Sequence, residues 1–174
     1  YSSTFFKSSY DLSKKSNNVA IIGGGDGGVA RECLENNTHY IDWYELDPEI
    51  VESCYRHLPK VCSKVKKSNN VNTFWGDAFE SIKSVEESKY DKIFVDLNDD
   101  QYCIDLARKN MKGLKRILKP GGVITAQVGS KDKKPKQVDN WSKVLEKCFG
   151  NVNISGVYIP SFDCNWNFAS YIMK

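Results

Sequence analysis

The sequence predicts an α/β fold, a largely parallel sheet with helices on both faces. Three observations predict it. A short apolar run at residues 19–22 leads into a glycine-rich turn and then into a helical pattern. Apolar strand-like runs and amphipathic segments then alternate through five units, the pattern of parallel strands joined by crossover helices. Finally, the chain closes on strand, loop and strand with no helix between, which predicts an antiparallel pair at the sheet edge.

The elements follow in order. Residues 1–18 are a polar lead-in with an aromatic patch (Phe5, Phe6, Tyr10), a short helix and a Ser/Asn-rich connection. After the first strand, turn and helix, Asn36-Asn37-Thr38 turns into a second strand at residues 40–46. Asp47-Pro48 opens a helix, with Asp as N-cap and Pro in the first turn. Its apolar face is Ile50, Val51, Cys54, Tyr55 and Leu58, and Pro59 stops it. Residues 60–70 are basic and polar, a solvated loop or short helix. Residues 71–75 are the third strand and 77–85 a short helix with Phe79 and Ile82 inward. The fourth strand is 90–96, and a long amphipathic helix runs from 101 to 118. Lys119-Pro-Gly-Gly122 is a turn, 123–128 the fifth strand, and 130–136 a polar, mobile loop. A helix at 138–149 and strands at 152–159 and 168–173 complete the chain; Phe162 and Trp166 fall in the loop between those strands.

The 174 residues are 40% hydrophobic and 27% charged, which fits one domain over residues 1–174 with a sizeable core. The net charge of +3 is too small to argue for nucleic acid. No run approaches the length of a membrane span, and no basic region followed by an apolar stretch marks a signal peptide. The first residue is not Met, which leaves a removed targeting segment open. Six cysteines contain no C-x-x-C pair and there are only two histidines, His39 and His57. No metal site is expected, and the cysteines read as reduced thiols of a cytoplasmic protein.

The chemistry gathers at strand ends. Gly23, Gly24, Gly25, Gly27 and Gly28 surround Asp26, directly after the first strand. A strand, a glycine turn and a helix let a ligand lie against backbone N–H groups at a helix N-terminus. Glu45 ends the second strand about 20 residues later, where nucleoside sites place an acid for the ribose hydroxyls. Gly76-Asp77-Ala78 follows the third strand. Acids after three successive strands point to a nucleoside more strongly than glycine spacing does. For each acid taken singly, the bland alternative of a helix start or cap stays open.

These residues are recognisable together. Val19-Ala-Ile-Ile-Gly-Gly-Gly-Asp-Gly-Gly-Val-Ala-Arg-Glu32, Glu45-Leu-Asp47, Gly76-Asp-Ala78, Tyr90-Asp-Lys-Ile-Phe-Val-Asp96 and Pro160-Ser-Phe162 resemble the spermidine synthase family of polyamine aminopropyltransferases. The likeness runs through almost the whole chain in the right order. It implies a methyltransferase-like Rossmann sheet of seven strands, the last antiparallel. It also implies transfer of the aminopropyl group of decarboxylated S-adenosylmethionine to a diamine such as putrescine, with 5′-methylthioadenosine as product. That donor is a co-substrate, and no tightly bound cofactor is expected. By position, Gly23, Gly24, Gly25 and Gly27 would cradle the donor and Asp26 would face its ammonium. Glu45 would hold the ribose, and Asp77 with Ala78 the adenine edge. Asp96 would orient and deprotonate the amine, Asp99 would help anchor it, and Tyr1 matches an active-site tyrosine.

The partners implied are small polyamine and nucleoside substrates, with no nucleic acid or membrane. The resemblance implies dimers or tetramers whose contacts often involve an N-terminal domain, so a homo-oligomer and a monomer both stand for this chain. Family members carry an N-terminal β-domain, and Tyr1 stands where that domain is expected to end. The loop after the fourth strand reads Asp-Leu-Asn-Asp-Asp, where the family usually has Asp-Ser-Ser-Asp-Pro or Asp-Leu-Pro-Asp-Pro. Two other readings therefore stand beside the first: an S-adenosylmethionine-dependent methyltransferase on another acceptor, and a non-catalytic nucleoside-binding or regulatory domain.

Overall fold

The computed structural model describes residues 1–174. In chain order its elements are α1 (Ser2–Tyr10), β1 (Asn18–Gly23), α2 (Gly28–Glu35), β2 (Tyr40–Glu45), α3 (Pro48–His57) and α4 (Pro59–Lys66). Then come β3 (Val71–Trp75), α5 (Ala78–Ser81) running into a 3-10 turn (Ile82–Ser84), β4 (Tyr90–Asp96) and α6 (Gln101–Ile117). The last elements are β5 (Leu118–Gly129), α7 (Pro135–Phe149), β6 (Asn153–Ile159), a 3-10 turn (Pro160–Phe162) and β7 (Cys164–Ile172). One seven-stranded sheet has the order β3-β2-β1-β4-β5-β7-β6. Strands β1 to β5 pair in parallel, and β7 is antiparallel to both of its neighbours. The last strand therefore lies inside the sheet, and β6 forms the edge.

Alternation along the strands divides the core between the two faces. Ala20, Ile22, Tyr44, Ile93 and Val95 pack beneath α5, α6 and α7, with Ile104, Met111, Trp141 and Leu145. Val19, Ile21, Ile41, Trp43 and Phe94 face the other way, against Phe5 and Phe6 of α1, Val29 and Cys33 of α2, Val51 of α3 and Val65 of α4. Strands β1 and β4 are thus apolar on both faces, as central parallel strands must be. No helix is long and apolar enough to cross a membrane.

Several boundaries differ from those expected. Pro59 ends α3 but also starts α4, because a proline fits the first helical turn, where its missing N–H has no partner to lose. The basic stretch after it is therefore partly helical, with Cys62 and Val65 buried. On α3 only Val51 is buried; Ile50 and Leu58 are exposed, so the expected apolar face is narrower than its sequence. Lys119-Pro-Gly-Gly122 is not a free-standing turn but part of β5. Gly121 N donates to Met173 O and Met173 N to Gly122 O, both at 2.8 Å, so pairing with the end of the chain carries the strand through. Residues 135 and 136, expected in a loop, open α7. Strand β7 begins at Cys164, so Trp166 is a strand residue opposite Val157 and not a loop residue.

Phe94 lies at the centre of the α1 face, fully buried, edge-on to Phe5 at 5.3 Å and stacked near Phe6 at 6.1 Å. Phe94→Ala is expected to cost about 3–5 kcal/mol of unfolding free energy. Urea denaturation checks this, and a loss below about 1 kcal/mol would mean that α1 does not pack as described.

Candidate active site

Strands β1, β2 and β4 end side by side, and each ends beside an acid. The glycine turn joins them. Gly23 and Gly24 have φ of 81° and 71°, a left-handed backbone that side chains disfavour. The turn also presses on β4. Gly24 N donates to Asp96 O at 3.0 Å, and a Cβ on Gly23 would lie 2.5 Å from that same oxygen. A Cβ on Gly24 would lie 2.9 Å from the Asp96 carboxylate, and one on Gly25 3.4 Å from that of Glu45. Only glycine lets β1 end this close to both acids. Gly27, also left-handed, caps α2, and the Asp26 carboxylate accepts from Gly28 N at 2.8 Å.

Each acid is held by its own backbone. Glu45, buried at the end of β2, accepts from Asp47 N at 3.1 Å, while its carbonyl accepts from Gly76 N at 3.0 Å. That bond ties the ends of β2 and β3 together and sets Asp77 and Ala78 beside Glu45. Asp77 is exposed and accepts from Phe79 N at 2.8 Å, capping α5. A capping bond uses one oxygen, so capping and ligand binding are compatible in Asp26, Glu45 and Asp77.

Asp96 differs from these acids. It is partly buried at the end of β4, and the Tyr1 hydroxyl donates to it at 2.5 Å. Burial raises its carboxyl to about 7; the Tyr1 hydrogen bond opposes that rise, and the charges of Asp26 and Glu45 add to it. Burial and the charge of Asp96 in turn hold the Tyr1 phenol well above its usual range. Asp99 is half-buried over Gly129, and one oxygen lies 3.5 Å from Lys134 Nζ. Asp100, beside it, caps α6 through Cys103 N.

The structure thus brings Tyr1, the glycine turn, Asp26, Glu45 and Asp96 together. It sets Asp77 and Ala78 on the β3 side and Asp99 on the β5 side. Four contributors escaped sequence reasoning. Trp43, buried in β2, donates from Nε1 to Gly23 O at 2.7 Å and braces the turn from below. Ile50 hangs over Gly25, where its exposed side chain offers an apolar surface to a ring. The Gln127 amide donates to Leu97 O, and Trp166 Nε1 donates to Gln127 Oε1 at 3.1 Å, so β5 and β7 support the loop that carries Asp99. Only Ile50 left a local signal. It sits next to Val51, about 100° away around the helix, so it falls at the margin of the apolar stripe nearer the solvent. Three surface recesses of about 210–520 Å³ lie elsewhere, beside α5, α6 and the far end of β4.

The profile of the spermine/spermidine synthase domain matches residues 1–174, the whole chain. The chain belongs to that family. A polyamine aminopropyltransferase of Prochlorococcus marinus (strain NATL1A) is 33% identical over 168 residues, covering 91% of this chain and 57% of that protein. One from Korarchaeum cryptofilum is 27% identical over 153 residues, covering 87% and 47%. The chain thus spans about half the length of the curated relatives it matches. Among solved structures, a spermidine synthase in complex with the transition state analogue AdoDATO superposes with a TM-score of 0.89 at 18% identity. It covers all of this chain and 60% of that one. The Thermotoga maritima spermidine synthase gives 0.88 at the same identity. These likenesses establish the spermidine synthase fold and bear out the methyltransferase-like sheet with its antiparallel last strand.

The raised carboxyl of Asp96 has a consequence for stability. Between about pH 3.9, where an unfolded Asp ionises, and about 7 the folded protein holds a proton that the unfolded chain has lost. The stability that this proton contributes is present below about pH 4 and is lost as pH rises through about 7. Asp96→Asn should remove that component, and unfolding curves of both proteins from pH 4 to 8 check the difference in slope.

Proposed function

We propose that this chain is the nucleoside-binding and catalytic unit of a polyamine aminopropyltransferase. Residues 1–174 act as one domain, with α1 as its lead-in. The donor is decarboxylated S-adenosylmethionine and the acceptor a diamine such as putrescine. The observation that carries this reading is Asp96, a carboxyl that titrates near neutrality at the end of β4, in contact with the glycine turn and with Tyr1.

The chemistry follows from the charges. The donor is a sulfonium, already activated, so the protein has to position two reactants and remove a proton. The acceptor nitrogen attacks the aminopropyl carbon bonded to sulfur. The new C–N bond forms as the C–S bond breaks, and the sulfur leaves with its electron pair as the neutral thioether of 5′-methylthioadenosine. The proton given up by the nitrogen goes to Asp96. A base with a pKa near the working pH suits this step, and Tyr1 fixes the orientation of its carboxylate.

Glu45 holds the ribose hydroxyls, Asp77 and Ala78 the adenine edge, and Gly23, Gly24, Gly25 and Gly27 allow the donor to approach the backbone. Asp26 faces the donor's ammonium. With Asp96 it makes the tail of the crevice negative, which favours an ammonium over the carboxylate of ordinary S-adenosylmethionine. Asp99 anchors the far end of the acceptor. Six free cysteines support a reducing compartment, the cytoplasm.

Calorimetric titration with decarboxylated S-adenosylmethionine, S-adenosylmethionine and 5′-methylthioadenosine tests this reading. Tighter binding of the decarboxylated donor and of the thioether supports it. Tighter binding of S-adenosylmethionine would favour a methyltransferase, and binding of none of the three a non-catalytic role. Asp26→Asn should erase most of the preference while leaving 5′-methylthioadenosine binding within about threefold, since the lost charge interacts only with the donor's tail.

Asp96→Asn should lower kcat by about 10²–10⁴ with little change in donor affinity. The wild-type rate should rise with pH through about 7 as Asp96 loses its proton. A rate that is flat from pH 6 to 8 would remove Asp96 from the proton-accepting role.

A further inference from the structure

Lys92 lies in β4 with its side chain fully buried, in a core otherwise built of aromatic and aliphatic groups. Its ammonium donates to the carbonyls of Ser9 at 3.2 Å and Ser13 at 2.7 Å, at and just beyond the C-terminal end of α1. The Ser9 carbonyl already accepts weakly from Leu12 N at 3.2 Å and Ser13 N at 3.4 Å, so the ammonium is an added partner, and the negative end of the helix dipole favours a cation there. The contact has a counterpart at the other end of the helix. Lys92, Phe94 and Asp96 alternate along one face of β4, and each engages a different part of α1. Lys92 takes its last carbonyls, Phe94 its middle through Phe5 and Phe6, and Asp96 its start through Tyr1. The lengths agree. Four residues of strand span about 13 Å, and a helix of nine residues spans about 13.5 Å.

An apolar residue at position 92 would fill the space without the cost of a buried charge, which is large enough to pull the ammonium down to about 8. What lysine adds is a fixed end for the helix. We propose that Lys92 is a positioning residue, pinning the C-terminal end of α1 to β4 so that the helix delivers Tyr1 to Asp96. The proposal rests on the reading of Asp96 as proton acceptor for its catalytic meaning, and on geometry alone for the pinning itself. It makes the N-terminal helix part of the site's machinery, controlled by a residue in no direct contact with that site.

The test uses the full chain with Lys92→Met, which keeps length but loses charge and donors, and Lys92→Arg, which keeps both. Three quantities are read: amide hydrogen exchange resolved by element, the titration of the Asp96 carboxyl by NMR, and kcat against KM. In Lys92→Met, exchange in α1 should rise about tenfold or more while β1 and β4 stay protected. The Asp96 midpoint should move away from about 7, because freeing α1 removes both burial, which raises it, and the Tyr1 hydrogen bond, which lowers it. The kcat value should drop about tenfold with donor KM held within about twofold. Lys92→Arg should restore most of each.

Unchanged α1 exchange and an unchanged Asp96 midpoint would overturn the proposal. Equal loss of protection in every element would also overturn it, since that marks general core stability. If Lys92→Met fails to fold, Lys92→Gln, which retains an amide donor, takes its place, and failure of both would assign Lys92 to the core and end the proposal. If the wild type transfers no aminopropyl group, the proposed function fails, while exchange and the Asp96 titration still judge the pinning.

Discussion

Parallel pairing of β1 with β4, carried to the last residue of both strands, is the constraint on which the site depends. Gly23 is in register with Asp96, and the next backbone N–H bonds back to the Asp96 carbonyl. With two backbones in such contact, no side chain fits on either glycine, and the turn must be left-handed. The same contact sets the Asp96 carboxylate over the turn and brings it within electrostatic reach of Asp26 and Glu45. Three acids near one another in partly dry surroundings cannot all ionise easily, and Asp96, desolvated at the end of β4, is the one that gives way. The unusual acidity of Asp96 therefore follows from where two strands stop.

The two sides of the crevice are built differently. On the β2 and β3 side, each acid is fixed by a backbone bond within a few residues of itself. Glu45 and Asp77 would keep their positions in almost any arrangement of the neighbouring helices. On the β5 side, the parts come from far along the chain. Tyr1 arrives on α1, Asp99 on a loop supported by Gln127 and Trp166, and Lys134 from the start of α7. A nucleoside pocket can be kept by local rules, whereas an acceptor pocket of this kind is sensitive to packing elsewhere.

That division also explains how much was legible in the sequence. The alternation of strands and helices along the chain, the glycine turn and the acids at strand ends were readable because apolar periodicity, glycine clusters and capping acids are local signals. The continuation of β5 through Lys119-Pro-Gly-Gly122 was not, because its partner is Met173, some fifty residues away. Strand β7 was read too short for a different reason: Cys164, Asn165 and Trp166 are polar or loop-like in composition, and only their hairpin pairing with Ile159, Tyr158 and Val157 makes them strand. Lys92 interrupts an apolar run and carries no mark of burial. Only the carbonyls of α1, brought over it by the fold, make a lysine tolerable there. The acids were legible individually, but the pKa of Asp96 was not, since it depends on how much of the carboxyl the fold covers.

The position of β7 also matters for the order in which the chain can be completed. As the chain leaves the ribosome, β5 is made well before the strand that covers its outer edge, and β6 is made in between. Until β7 has been synthesised, β5 exposes a long row of unpaired backbone groups beside apolar side chains, and β6 has no place in the sheet. An edge of that kind is a template for pairing with another chain. The last strand is thus the piece that closes the sheet. A nascent chain halted shortly before it would hold an assembled nucleoside half and an adhesive flank, so the protein's hazard during synthesis lies on the β5 side, beside the acceptor half of the crevice and away from the nucleoside half.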